Sequence, residues 1–263
     1  MDCSFLSFIS RTAYSNNLLK SLLALCLLFI SDRSKLEADE LDDTSTIIHA
    51  TQGPLFVSLG SDCLTASMIQ HFGKRQTAFP FDWMLTLDEA GFLQILNTNF
   101  QDFTNKDYLI RHPITNAGLV HSIYHVEFAH YWLETYWENA TQSEEELEKL
   151  QITFQRRIEK FRQLGSYKGS VVFIRAIGPS FKHKDLNPEI FWFGYSPNTD
   201  EKEFSLNLND ALKKSFPTLD FKLIVVKKTD TQNSCEFFGN IALYHLTDMK
   251  EHRHWEPILN SRD

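Results

Sequence analysis

The chain has 263 residues, 43% of them hydrophobic and 23% charged, with 22 phenylalanines and a formal net charge of −8 at pH 7. That length allows one large domain or two small ones, either with a substantial, aromatic-rich core. The acidic balance, with basic residues scattered among acidic ones, argues against a nucleic-acid partner, which would need a basic face.

The amino-terminal segment differs from the rest. "SLLALCLLFI", Ser21 to Ile30, is an apolar run of the length of a signal-peptide core, and Arg11 and Lys20 precede it. It is short for a bilayer span. No clean small-x-small pair follows, Leu36 and Ala38 in "KLEAD" being the best offer. Residues 1–31 are therefore read as a signal peptide or a membrane-associated segment, with membrane contact through residues 17–31; a buried or interfacial helix is the alternative. The expected location is exported or membrane-associated, otherwise cytoplasmic. The acidic stretch "DRSKLEADELDDTST" reads as a linker over 32–53, and the folded domain as residues 54–263. The cysteines are Cys3, Cys26, Cys63 and Cys235. If the leader is removed, the last two remain, and in an exported protein they could pair as a disulfide.

Within the domain, "LFVSLG" predicts a short buried parallel strand ending at a glycine. Ser61 and Asp62 are both good N-caps for a helix that follows. Leu64, Met68 and Phe72 recur at helical spacing, and Gly73 with Lys74 and Arg75 closes that helix. "AFPFDWML" reads as an aromatic loop, and a second helix is expected over Leu87 to Leu96. "LVHSIYHVEFAHYW" alternates like a strand, which would put His121 and His125 on one face. Ser143 and Glu146 read as a capping box opening a helix whose buried face is Leu147, Leu150, Phe154, Ile158 and Phe161, with Gly165 at its end. Arg156 and Arg157 on that helix read as part of a solvated face. "SVVFIRAIG" predicts a buried strand, "PEIFWFGY" is ambiguous, and a helix around Leu206 to Phe216 leads to strands "FKLIVVKK" and "NIALYHL". Strands alternating with helices predict a layered α/β domain with a largely parallel central sheet flanked by helices; an α+β papain-like arrangement is the alternative.

In parallel sheets ligands bind beyond the carboxyl ends of strands, and "LGSDC" lies at such an end. A thiol at a helix start is favoured as thiolate by the unpaired backbone N–H groups and the helix dipole, and the same N–H groups suit an oxyanion. Cys63 is thus a candidate nucleophile, with His121, His125 and His130 as candidate bases. Packing as a small hydrophobe, or a disulfide to Cys235, are the structural alternatives. Elsewhere the signals are thinner. "HRH" at 252–254 lacks companion ligands at metal spacing and reads as a solvated tail, so no metal is expected. The glycine turn lacks a nucleotide fingerprint, and no cofactor is expected. Asn139 in "NAT" is a glycosylation acceptor only in a eukaryotic secretory setting.

The segment "SLGSDCLTASMIQHFGKRQTAFPFDW", followed by "YHVEFAH" and "FQRRIEKF…VVFIRAI", resembles a bacterial and viral family labelled putative papain-like cysteine peptidase, a domain of unknown function. The resemblance runs from about Leu55 to Ile177 and fades after it. It implies Cys63 as nucleophile, His130 as its base and Asp82, from P-F-D-W, as the residue orienting the histidine. Tyr131 and Trp132 stand where family members usually carry aspartate and phenylalanine. Asp82 has a plainer alternative as a loop-closing carboxylate. Arg175, Ser61 and Trp83 are the candidate substrate-binding residues, with a buried ion pair as the alternative for Arg175. The leading expectation is a cysteine-dependent hydrolase or acyl-transfer enzyme of peptidase or amidase type, acting on a peptide, amide or acyl substrate. The alternative is a non-catalytic glycan- or anion-binding module using Trp83, Trp132, Trp137, Trp192 and Arg175.

Overall fold

A computed structural model describes residues 53–86, 88–111, 119–128, 140–178 and 200–260. The expected leader, nearly all of the expected linker and "PEIFWFGY" lie outside the described residues, as does His130. In chain order the elements are β1 (Leu55–Ser58), α1 (Leu64–His71), α2 (Glu89–Asn97), β2 (Leu109–Arg111), β3 (Leu119–His121) and β4 (Val126–Glu127). They continue as α3 (Ala140–Gln163), β5 (Val171–Ile177), α4 (Glu201–Ser215), β6 (Phe221–Lys228), β7 (Ser234–Phe238), β8 (Ile241–Leu246) and α5 (His252–Leu259).

The central sheet has the order β1-β5-β6-β8-β7. Its first four members run parallel, and β7 pairs antiparallel at the edge. The apolar runs that form β1, β5 and β6 are buried on both sides, as strands must be when helices cover both faces. Alternation along each strand divides the core in two. Val57, Phe173, Leu223 and Leu243 face α2, α3 and α4, whose Phe92, Phe154, Phe161 and Leu208 join the same cluster. Phe56, Ile174, Ile224 and Ala242 face α1 and α5, which contribute Met68, Trp255 and Ile258. The layered α/β architecture with a mostly parallel sheet is therefore the one the chain adopts. Phe161 sits among Phe79, Phe81, Phe100, Phe173 and Phe216 in edge-on or tilted contacts, the last at 5.2 Å between centroids. That cluster is the physical use of the chain's phenylalanines.

Five expectations need correction. The alternating stretch after Gly118 is not one strand: β3 and β4 form a tight antiparallel hairpin that pairs with β2. The reason is His121, whose buried ring accepts at Nδ1 from the amides of Ile123 (3.3 Å) and Tyr124 (3.1 Å) and donates from Nε2 to the Asp102 carbonyl. Two backbone donors on Nδ1 fix the tautomer, and burial lowers the pKa of the ring. His125 sits in the left-handed region at φ 54, so the two histidines do not share a strand face. The helix α3 begins at Ala140, which puts Ser143 inside its first turn rather than at a capping box. Arg157 is buried, at 7% exposure, and so is not on a solvated face. Residues 252–254 open helix α5, held by a wholly buried Trp255 whose Nε1 donates to the Met249 carbonyl at 2.7 Å, so they are not a tail.

The amino terminus of α4 is fastened to the carboxyl ends of two strands. Asp200 caps it by accepting from the amides of Lys202 and Glu203. Glu201 accepts from Lys227 of β6 at 2.7 Å and pairs with His245 of β8 at 3.2 Å. Burial alone would raise the Glu201 carboxyl, but the Lys227 hydrogen bond, its own amide and His245 hold it down at about 2. A carboxyl held below its unfolded value of 4.5 stabilises the fold above that pH and loses its contribution as pH falls toward 2. Glu201→Gln is expected to lower stability at pH 7 by about 1–2 kcal/mol after solvent screening. Urea unfolding at stepped pH checks it: the gap to the parent should narrow as pH drops from 4.5 toward 2.

Candidate active site

Backbone bonds gather several loops at the carboxyl ends of β1 and β5. Leu59 donates to the Ile174 carbonyl at 2.8 Å, Ala176 to that of Gly60 at 2.8 Å, and Thr86 to that of Ser61 at 2.7 Å. The Ser61 hydroxyl donates to the Gly178 carbonyl. The loop after β1, the exit of β5 and the segment before α2 thus form one rigid junction, where a parallel sheet offers its ligand sites.

Arg175 is the centre of that junction. Its place on β5 points it into the phenylalanine-rich face, with the guanidinium 4.1 Å from the Phe92 ring centroid. Nη1 donates to the Leu59 carbonyl at 2.7 Å and to the Thr86 hydroxyl, and Nη2 donates to the Thr86 carbonyl. Burial lowers its pKa to about 10, against the opposing effect of Glu89 and Asp62, so it remains a cation at neutral pH. Among the described residues, its hydrogen-bond partners are two carbonyls and a hydroxyl rather than a core acid. Gly60 is required beside it: φ is +78°, and a Cβ there would lie 2.7 Å from the Thr86 hydroxyl and 3.1 Å from Arg175 Nη1.

Cys63 lies one residue ahead of α1, half-buried, with its carbonyl accepting from Ser67 at 2.9 Å. Of the two expected caps, Asp62 is the one used, its Oδ1 accepting from the Leu64 amide at 2.9 Å. Ser61 is buried and turned to Gly178 instead. Cys63 and Cys235 are both thiols, so the disulfide alternative fails. The sheet order explains why: Cys63 follows β1 and Cys235 is on β7, at opposite edges with β5, β6 and β8 between them.

Asp82 and Trp83 belong to a neighbouring cluster. Asp82 Oδ2 accepts from the Phe79 amide at 3.1 Å and from Arg75 Nη2 at 3.1 Å. Burial raises its carboxyl pKa, opposed by Arg75, Arg157 and the Phe79 amide. Those contacts close the aromatic loop. The Arg75 guanidinium also lies 5.4 Å from the centre of the half-buried Trp83 ring. Of the histidines proposed as bases, His121 is bound within its turn, and His125 pairs through Nδ1 with Asp88 Oδ2 at 2.7 Å. His130 lies outside the described residues. Sequence reasoning misses Thr86 and Arg75 as site residues. No motif marks Thr86, whereas Arg75 is a long cation seven residues before a buried aspartate.

A sequence model described as putative papain-like cysteine peptidase matches residues 54–231. The chain belongs to that family. The match includes the Cys63 loop, Asp82 and Arg175, and it continues past the expected limit at Ile177 through α4 and β6. No curated protein and no solved structure matches the chain.

Removing the Arg175 guanidinium leaves the Leu59 and Thr86 carbonyls buried without donors. Arg175→Met is expected to lower unfolding stability by about 3 kcal/mol or more, and Gly60→Ala by about 1–3 kcal/mol, in urea titrations.

Proposed function

We propose that the chain is a cysteine-dependent hydrolase or acyl-transfer enzyme acting on a peptide or related amide, with Cys63 as nucleophile. The observation that carries the reading is a half-buried thiol at the start of α1, directly beyond the carboxyl end of a parallel strand. Membership of the family described as putative papain-like cysteine peptidase supports the same chemistry.

In this reading, the amides opening α1 and their dipole favour the Cys63 thiolate. His130 takes the thiol proton. Sγ bonds to the carbonyl carbon, the carbon–nitrogen bond breaks, and His130 returns the proton to the departing amine. Water, or another acceptor, then releases the acyl group from sulfur. The Cys63 amide contributes to the oxyanion site, whereas the Leu64 amide donates to Asp62. One Asp82 oxygen is committed to Arg75 and Phe79, so orienting His130 would fall to the other. Arg175 acts here as a positioning residue, holding the loop that carries Cys63 rather than touching substrate. No helix among the described residues is long and apolar enough to cross a membrane; export directed by residues 1–31, or membrane contact through residues 17–31, remains part of the proposal.

The test is the pH dependence of iodoacetamide alkylation, read by mass spectrometry, with Cys235 as internal control. Burial pushes the Cys235 thiol up, so it should react slowly at neutral pH. Cys63 is expected to react with an apparent pKa well below ~8.5, and His130→Ala should move it back toward that value. A Cys63 that reacts no faster than Cys235 would remove the nucleophile and with it the enzyme.

A further inference from the structure

The second buried arginine is used differently from Arg175. Arg157, on α3, is enclosed by the protein over all but 7% of its surface. Its Nη1 nonetheless has no hydrogen-bond partner among the described residues. One turn along the same helix face Lys160, also 7% exposed, donates to the buried Thr77 hydroxyl at 3.0 Å. That bond ties α3 to the loop of Arg75 and Asp82, and the Arg157 charge opposes the upward push of burial on the Asp82 carboxyl. The Arg157 guanidinium is 5.6 Å from the Phe154 ring, which gives it a face but no acceptor. A buried cation holding an unmet donor costs free energy that a folded protein normally offsets with an ion, a water or a ligand.

We propose that α3 and the 75–82 loop form an oxyanion site, filled by a phosphate group and built on Arg157, Lys160 and Thr77. The donor set fits that chemistry: a guanidinium fork, an ammonium and a hydroxyl offer donors and a positive charge, matched to several oxygens on one centre. Asp82 bounds the site and holds Arg75 at its side, so the carboxylate positions a wall of the site and does not bind the anion. Free phosphate and the phosphoryl end of a small monoester share this chemistry. The anion's donors are residues other than Cys63 and His130; Asp82 alone is common to this site and to the proposed enzymatic reading.

The experiment is thermal unfolding of the full chain in inorganic phosphate, and separately in glycerol phosphate, against sodium chloride at equal ionic strength. Phosphate well above its Kd should raise Tm by about 2–4 °C over chloride. Because phosphate also stabilises proteins by exclusion from their surface, Arg157→Gln and Lys160→Met are run beside the parent. Each should lose most of the rise, and Cys63→Ser should keep it. A rise with both ligands identifies a monoester end as the occupant, and a rise with the inorganic ion alone identifies free phosphate. If Arg157→Gln does not fold, Lys160→Met decides, with an expected loss in phosphate affinity of about tenfold by calorimetry. The site is overturned by a parent that gains nothing over chloride, or by a rise that survives in the variants.

Discussion

The junction at the carboxyl end of the sheet depends on one guanidinium placed where the sheet would otherwise carry an aliphatic side chain. Arg175 sits between Ile174 and Ala176 on a strand whose other residues are all apolar. Burying a cation there is unfavourable unless its donors are met. The Leu59 carbonyl, the Thr86 hydroxyl and the Thr86 carbonyl meet them, and the Phe92 ring supplies a favourable face. A lysine would carry the charge but not the planar fork that spans two backbone segments at once. The arginine therefore converts the exit of β1 and the entry to α2 into parts of one object. Gly60 follows from it, because only a residue without Cβ fits between Thr86 and the guanidinium.

That rigidity reaches Cys63 through a short chain of contacts. The Ser61 carbonyl receives the Thr86 amide, the Ser61 hydroxyl holds Gly178, and Asp62 caps the Leu64 amide. Each of the residues ahead of the cysteine is thus fixed by a different partner, and the thiol emerges half-buried from a loop with little freedom. Such fixing is what a nucleophile needs, since reactivity falls quickly when the attacking atom is misplaced. It is also what a tight structural turn would show, and the reactivity of the half-buried Cys63 is what separates the two.

The parts legible in the sequence are those where local pattern and burial agree. "LFVSLG", "VVFIRAI", "FKLIVVKK" and "IALYHL" are near-continuous apolar runs, which a sheet covered on both faces requires, and all form parallel strands. The family match over 54–231 agrees with the resemblance read from the "SLGSDC" and "PFDW" stretches and extends it. What pattern cannot show depends on tertiary partners. The alternation after Gly118 hides a hairpin because His121 binds the turn amides itself. The edge strand β7, "SCEFF", is mostly exposed and has no buried face to give it away. Arg157 reads as solvated because helix α3 is rich in charge, yet in the folded chain it is only 7% exposed. The P-F-D-W stretch marks Asp82 as a site candidate, but its Arg75 partner is visible only once the loop is folded.

The two buried arginines set a contrast that composition alone cannot reveal. Both Nη groups of Arg175 close on carbonyls and a hydroxyl of its own chain, so those donors have served their purpose once the chain has folded. Its Nε has no partner among the described residues, but it is enclosed in the core beside Phe92 and Phe204, where no ligand can approach without unfolding the sheet face. Arg157 is also shielded from bulk water yet has an Nη group without an acceptor among the described residues, on a helix joined to the 75–82 loop by the Lys160–Thr77 bond. Seams open at far lower cost than layers, because fewer apolar contacts are lost when one side moves. A charged donor left unmet at a seam is therefore suited to a ligand, whereas one left unmet in a layer is a residual strain of packing. The distinction places Arg175 in the architecture of the Cys63 loop and leaves Arg157 as a donor for the proposed oxyanion site.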